Sequence, residues 1–131
     1  MLTHVAVNPN NEKHIIVSSA SVADKSPAFF VSFDGGDSWE IVGKGSTESI
    51  MYTHERKFVN DSLVYTVDYY KPFMKSEDGG VTWKWSSNGI RRSTINSLQT
   101  HPLNRNLVLA GTIDGALHMT YDGGNKWERI F

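Results

Sequence analysis

Apolar residues along this chain fall in short runs of β-branched and aromatic positions, each bounded by turn residues. His14-Ile15-Ile16-Val17-Ser18, Ala28-Phe29-Phe30-Val31, Leu63-Val64-Tyr65-Thr66-Val67 and Asn106-Leu107-Val108-Leu109-Ala110 are the clearest of them. Such side chains suit the pleated, half-buried surface of a sheet. No segment carries the 3.6-residue apolar period of an amphipathic helix over about ten positions. The pattern predicts strands near 3–7, 14–19, 28–33 and 38–42, then 49–53, 62–68, 72–76 and 82–86, then 94–99, 106–112, 116–121 and 126–130.

These strands group by fours because the chain repeats. Ser32-Phe33-Asp34-Gly35-Gly36-Asp37-Ser38-Trp39, Ser76-Glu77-Asp78-Gly79-Gly80-Val81-Thr82-Trp83 and Thr120-Tyr121-Asp122-Gly123-Gly124-Asn125-Lys126-Trp127 share one pattern. The tryptophans stand at 39, 83 and 127, so both intervals are 44 residues. The likeness extends upstream: Leu63-Val64-Tyr65 precedes Leu107-Val108-Leu109 by 44 residues, and Asn60 precedes Asn104 by the same interval. The first unit is looser, and its additional residues fit in the Ser/Ala-rich stretch from Ser18 to Pro27. A four-stranded antiparallel unit of this length is the size of one propeller blade. The expected architecture is therefore all-β, a single domain over 1–131 built of three blades near 1–45, 46–90 and 91–131.

Each shared motif lies between the third and fourth strands of its unit. Gly-Gly after Asp supplies the positive φ that a tight turn between antiparallel strands requires, at Gly36, Gly80 and Gly124 among others. Asp34, Asp78 and Asp122 can accept hydrogen bonds from backbone N–H groups of their own turn. Ser32, Ser76 and Thr120 offer a hydroxyl from the preceding strand, and Trp39, Trp83 and Trp127 can bury their rings between neighbouring units. A catalytic or Ca²⁺-binding carboxylate would rarely be needed three times at equal spacing, whereas a folding device would be. These twelve residues are read as structural.

The motif resembles the Asp-box, or bacterial neuraminidase repeat, of pattern Ser/Thr-x-Asp-x-Gly-x-Ser/Thr-Trp. The first two copies match in full; the third departs at Lys126, where a hydroxyl residue is usual, so its turn is expected to lack one hydrogen bond. The run from His101 to Thr112, followed by Asp114-Gly115 and the third box, looks like the repeats of xyloglucanase-type glycosidases and sortilin-like receptors, and Asn8-Pro9-Asn10 looks like another copy of its opening. The resemblance implies a β-propeller whose Asp-boxes sit on the face away from the ligand. It does not imply one activity, since sialidases, other glycosidases, photosystem assembly factors and sorting receptors share the architecture.

Composition narrows the chemistry. Thirteen Lys plus Arg against fourteen Asp plus Glu leave a net charge of −1, which gives no electrostatic case for nucleic acid or an anionic membrane as partner. No window approaches the roughly 18 apolar residues of a helical membrane span, and no signal peptide is evident, so a cytoplasmic location is expected if the chain is intact. There is no Cys, which excludes disulfides, thiolate metal sites and Cys nucleophiles. Histidines at 4, 14, 54, 101 and 118 show no ligand spacing, and neither a metal nor an organic cofactor is expected. Four Trp, five Tyr and six Phe supply a core.

The sialidase resemblance implies an Arg triad, but Arg56, Arg91, Arg92, Arg105 and Arg129 are all the arginines, with none before position 56, and the family's early Phe/Tyr-Arg-Ile-Pro segment is missing. In a propeller the loops joining strands two and three share a face with the loops joining blade to blade. That face is expected to carry Asp24, Lys25, Glu48, Asp68, Tyr69, Tyr70, Arg91, Arg92 and Asp114. Asp68 and Asp114 stand at near-equivalent positions of neighbouring blades, as a two-carboxylate glycosidase would need, and Tyr69-Tyr70 could stack on a sugar. Catalytic residues are not assigned. The preferred reading is a binding or scaffolding module that takes a glycan or a protein segment on this face. The alternatives are a glycosidase, sialidase- or xyloglucanase-like, or part of one, and an engineered or truncated structural fragment. Three blades form an open arc, so the chain is expected to pair with itself as a homodimer that closes a six-bladed ring. The end faces expected to be apolar include Val5, Ile15, Phe29, Val108, Leu117 and Trp127.

Overall fold

A computed structural model describes residues 2–19, 28–42, 53–68, 73–90 and 94–131. It holds three four-stranded antiparallel sheets, each with its strands in chain order. The first contains β1 (Leu2–Asn8), β2 (Asn11–Ser19), β3 (Ala28–Ser32) and β4 (Glu40–Val42). The second contains β5 (Thr53–Phe58), β6 (Val64–Asp68), β7 (Met74–Ser76) and β8 (Lys84–Trp85). The third contains β9 (Ile95–Thr100), β10 (Val108–Thr112), β11 (Leu117–Thr120) and β12 (Glu128–Arg129).

Register follows the repeat. Val17 pairs with Phe30, Thr66 with Met74 and Ala110 with His118, each of the last-named residues standing four before its box aspartate. Because the side-chain period of a strand is two, equal register sends equivalent positions to the same face of every sheet. One apolar layer, Ile16, Phe29, Val31, Val42 and Val64, joins the first and second sheets, with Phe58, Val81 and Trp83 packed against it. A second layer joins the second and third sheets through Tyr65, Val67, Phe73, Ile90, Ile95, Leu98, Val108, Ala110 and Trp127. The sheets thus stack face to face, and each apolar layer draws side chains from both of its neighbours.

The structure corrects the sequence reading in three places. The strand expected at 49–53 is β5, Thr53–Phe58; residues 43–52 lie outside the described part of the chain. Its charged face is accommodated because Arg56, only 4% exposed, lies over the Phe29 ring at 4.3 Å from the centroid. The three box tryptophans are not equivalent: Trp127 is buried, Trp83 half-buried, and Trp39 remains 42% exposed. The end faces also differ from expectation. Phe29, Val108 and Trp127 are buried inside the arc and Ile15 and Leu117 are half-buried; Val5 alone of those expected is about half exposed, and Val7 and Ile41 join it.

Candidate functional site

The three repeated Asp-Gly-Gly turns, the boxes of the sequence repeat, lie at one end of the sheets. In the first, Ser32 Oγ donates to Asp34 Oδ1 (2.8 Å) and accepts from Gly36 N (2.8 Å), and Ser38 N donates to Asp34 Oδ1 (2.9 Å). The Ser38 hydroxyl donates to Asp34 Oδ2. The second repeats this with Ser76, Gly80, Thr82 N (2.8 Å) and the Thr82 hydroxyl around Asp78. In the third, Thr120 Oγ1 donates to Asp122 Oδ1 (2.8 Å) and Lys126 N follows at 2.9 Å, but Lys126 has no hydroxyl to give Oδ2. The bond missed at Lys126 was legible in the sequence.

Charge stabilisation follows these donors. The Ser38 hydroxyl, then Ser38 N and Ser32, hold the Asp34 carboxyl well below the usual range. At Asp78 burial works upward, but the donors from Thr82, Ser76 and Val81 outweigh it and the net shift is downward. Asp122 is lowered by Lys126 N and the Thr120 hydroxyl. Such carboxylates stay ionised and occupied within their own turns, which makes them poor proton donors and poor nucleophiles.

Each later box also seats the preceding sheet. The Trp83 ring meets Phe29 at 5.3 Å between centroids, and the Trp127 ring meets Phe73 edge-on at 4.8 Å. His14, buried in β2, reaches Gly79 O through Nε2 at 2.7 Å. Ser86 Oγ donates to Gly124 O (2.6 Å), while Trp127 Nε1 donates to Ser86 O (2.9 Å). No sequence motif marked His14 or Ser86, because their partners stand 65 and 38 residues away.

Of the loop candidates, Asp68 and Asp114 fall on described residues, and both lie at the opposite end. Asp68 closes β6, and Asp114 stands in the turn that joins β10 to β11, so both belong to this end of neighbouring sheets. Thr112 Oγ1 donates to Asp114 Oδ1 at 2.5 Å. Beside this turn His118 is 7% exposed with its Nδ1 lacking a hydrogen-bond partner. Burial depresses its pKa below the ordinary 6.5, against the opposing pull of Asp114 and with a further push from Arg129. A lone His in a strand gave the sequence reading no reason to select it. Asp24, Lys25, Glu48, Tyr69, Tyr70, Arg91 and Arg92 lie outside the described residues, as does the side chain of Asp68.

A polar cleft of about 290 Å³ opens between the second and third sheets at the box end, lined among others by Tyr65, Lys75, Glu77, Arg105 and Asn125. Tyr65 donates to Arg105 O at 3.0 Å, and burial pushes its hydroxyl up to about 12, so it stays protonated. Among the described residues no cluster of three His, Asp or Glu could hold a metal ion.

No family model matches the chain, and no curated protein matches it by sequence. Solved structures do match in fold. The GH74 enzyme of Niastella koreensis superposes with a TM-score of 0.75 at 17% identity, over 99% of this chain and 22% of the enzyme. YCF48 from Cyanidioschyzon merolae gives 0.71 at 18% identity, over 98% of this chain and 36% of YCF48. YCF48 bound to D1 peptide gives 0.69 at 16% identity, covering 98% and 39% of the two chains. The chain thus spans well under half the length of these neighbours, and at such identities the likeness is one of fold. The three sheets are blades of a β-propeller-like arc.

Proposed function

We propose that this chain is a propeller scaffold that binds an extended protein segment on its loop face. The observation that carries the reading is the state of the box end. Asp34, Asp78 and Asp122 are each bonded inside their own turns, so these three carboxylates are taken up by the fold, and this reading places recognition at the opposite end. There Tyr69 and Tyr70 would contribute apolar and stacking surface, Arg91 and Arg92 would meet carboxylates or carbonyls, and Glu48, Asp68 and Asp114 would meet cations or N–H groups. YCF48, a protein of similar fold, has been solved bound to D1 peptide, which is consistent with a peptide partner for this chain. Selection from a displayed random-peptide library tests the binding: recovered peptides should lose affinity to Tyr70→Ala, and a library that returns no binder contradicts the reading.

A second reading, glycoside hydrolysis or glycan binding, is favoured by the placement of Asp68 and Asp114 at the same end of adjacent blades. Fold neighbours among GH74 enzymes are consistent with it. Turnover of an aryl β-glycoside panel that vanishes in Asp114→Asn would support hydrolysis, and an inert protein would leave the peptide reading in place.

A further inference from the structure

Two junctions join the three blades at the box end, and the chain finishes them differently. Between the first and second blades, Asn8, fully buried, donates through Nδ2 to Asp61 Oδ1 at 2.9 Å and stands 3.3 Å from His14 Nδ1. The His14 ring stacks on Phe33 at 4.7 Å and meets Phe58 edge-on at 4.9 Å. Register and the 44-residue spacing give the equivalents at the junction of the second and third blades. Val59 takes the place of Asn8, Leu63 that of His14, Glu77 that of Phe33 and Arg105 that of Asp61. These residues cannot repeat the plug, because Val59 has no amide to donate and neither Leu63 nor Glu77 has a ring to stack. The cleft of about 290 Å³ lies at this second junction. Its floor is Tyr65, fully buried and tied to Arg105 O at 3.0 Å.

The replacements also define what the cleft accepts. At the first junction a carboxylate, Asp61, is met by an amide donor of the chain itself. At the second the equivalent group is a guanidinium, which can only donate, and among the described residues no carboxylate pairs with it. Its complement is a carboxylate held by two parallel N–H···O bonds. Lys75 adds a positive charge fixed in place, its largely buried Nζ donating to Asn125 Oδ1 at 3.0 Å. Glu77 supplies the opposite sign; it stands 3.9 Å from Lys75 and 3.6 Å from the exposed Lys84, loose contacts that an ammonium can displace. Lys75 and Arg105 are balanced by Glu77 and Asp122, so a ligand with one charge of each sign matches the cleft better than a simple anion does. We propose that this cleft binds a small zwitterion of the amino-acid class, its carboxylate on Arg105 and Lys75 and its ammonium on Glu77. The volume is at the lower end of the roughly 300–1,000 Å³ of small-molecule pockets, and the half-buried Leu63 gives the ligand's carbon chain an apolar wall. The site lies at the end of the arc away from the loop face and is independent of the peptide reading.

Amide NMR of the full chain, titrated with each free L-amino acid in turn, reads the cleft through the side-chain amides of Asn106 and Asn125, both of which line it. At least one amino acid should shift these signals and saturate them by about 10 mM. Its N-acetyl and its carboxamide forms, which each lack one of the two charges, should bind about tenfold more weakly or worse. Arg105→Ala and Glu77→Gln should each weaken binding by about tenfold or more, whereas Glu12→Gln, at an exposed carboxylate of the first blade, should leave it unchanged. Arg105 holds Tyr65 through its backbone carbonyl, so Arg105→Ala should keep the fold and the melting temperature. Glu77→Phe, which copies Phe33 of the first junction, should abolish binding by filling the cleft. The proposal is overturned if no amino acid shifts these signals at about 10 mM, if the shifts map outside the cleft, or if Arg105→Ala or an N-acetyl form binds as well as its parent.

Discussion

Gly124→Ala measures how tightly a box seals one blade onto the previous one. Gly124 has φ +88°, and a Cβ there would overlap Phe73 Cε1 and lie 3.0 and 3.1 Å from Cδ1 and Cζ. Phe73 is fully buried between Tyr65 and Trp127, with centroids 5.1 and 4.8 Å away, so its ring has nowhere to retreat. Gly115 shares the backbone geometry, with φ +81°, but a Cβ there meets nothing within 4 Å. Left-handed backbone costs an alanine about 1–2 kcal/mol at either site, partly offset by about 0.4–1 kcal/mol of lost unfolded-state entropy. Gly115→Ala should therefore destabilise by about 1 kcal/mol or less. Gly124→Ala adds overpacking of about 1–3 kcal/mol, for a total near 2–4 kcal/mol, or roughly 6–16 °C in Tm for a domain of this size. Urea and thermal unfolding, followed by tryptophan fluorescence at one fixed protein concentration, read both values. In a Phe73→Leu background, which copies Leu117 of the third blade, the cost of Gly124→Ala should shrink by about 1 kcal/mol or more. Equal costs at Gly115 and Gly124, or no coupling to Phe73, would refute the seal.

Further predictions follow from the same geometry. Asp78→Ala should cost about 1–2 kcal/mol through the lost bonds to Thr82, Ser76 and Val81, read as a lower urea midpoint at unchanged m. Lys126→Ser should restore the hydroxyl donor to Asp122 and raise stability by about 0.5–1 kcal/mol, provided the exposed Lys126–Glu128 pair contributes little. The box carboxylates have folded-state pKa values below the unfolded 3.8, so their stabilisation is present above that pH and is lost as pH falls through the folded values; the urea midpoint should drop steeply below about pH 4. His118 acts higher: its folded pKa lies below the unfolded 6.5, so stability should begin to fall as pH drops below 6.5, and His118→Gln should remove that slope.

The fold was legible because the box is a local device. Ser32, Asp34, Gly36 and Trp39, and their second copy, satisfy each other within eight residues, as does the third copy apart from Trp127, whose indole turns to Ser86 O, so spacing alone revealed the turn, the flanking strands and the number of sheets. The defect at Lys126 could be read the same way. What stayed hidden depends on neighbours distant in sequence. Thr53–Phe58 contains His54, Glu55, Arg56 and Lys57, a poor strand by composition, and it is a strand because β6 pairs with it and Phe29 covers Arg56. The unequal burial of Trp39, Trp83 and Trp127 reflects which of them has a blade in front of it, which three identical motifs cannot tell. Of the candidate site, the sequence selected Asp114 and the structure places it on Thr112 beside His118. The rest of the loop face carries no periodic pattern, since recognition residues answer to a ligand and not to the repeat.

The division of labour between the two ends of the arc is tested most directly by affinity measurements on one panel of variants. A peptide selected against the wild-type chain would be titrated by calorimetry against Asp34→Ala, Asp78→Ala and Asp122→Ala, and against Tyr70→Ala and Asp114→Asn, all at a temperature where each variant is folded. Affinity should hold within about twofold across the three box variants and fall about tenfold or more, roughly 1.4 kcal/mol, in the two loop-face variants. Loss of binding in the box variants with Tyr70→Ala and Asp114→Asn unaffected would contradict the account.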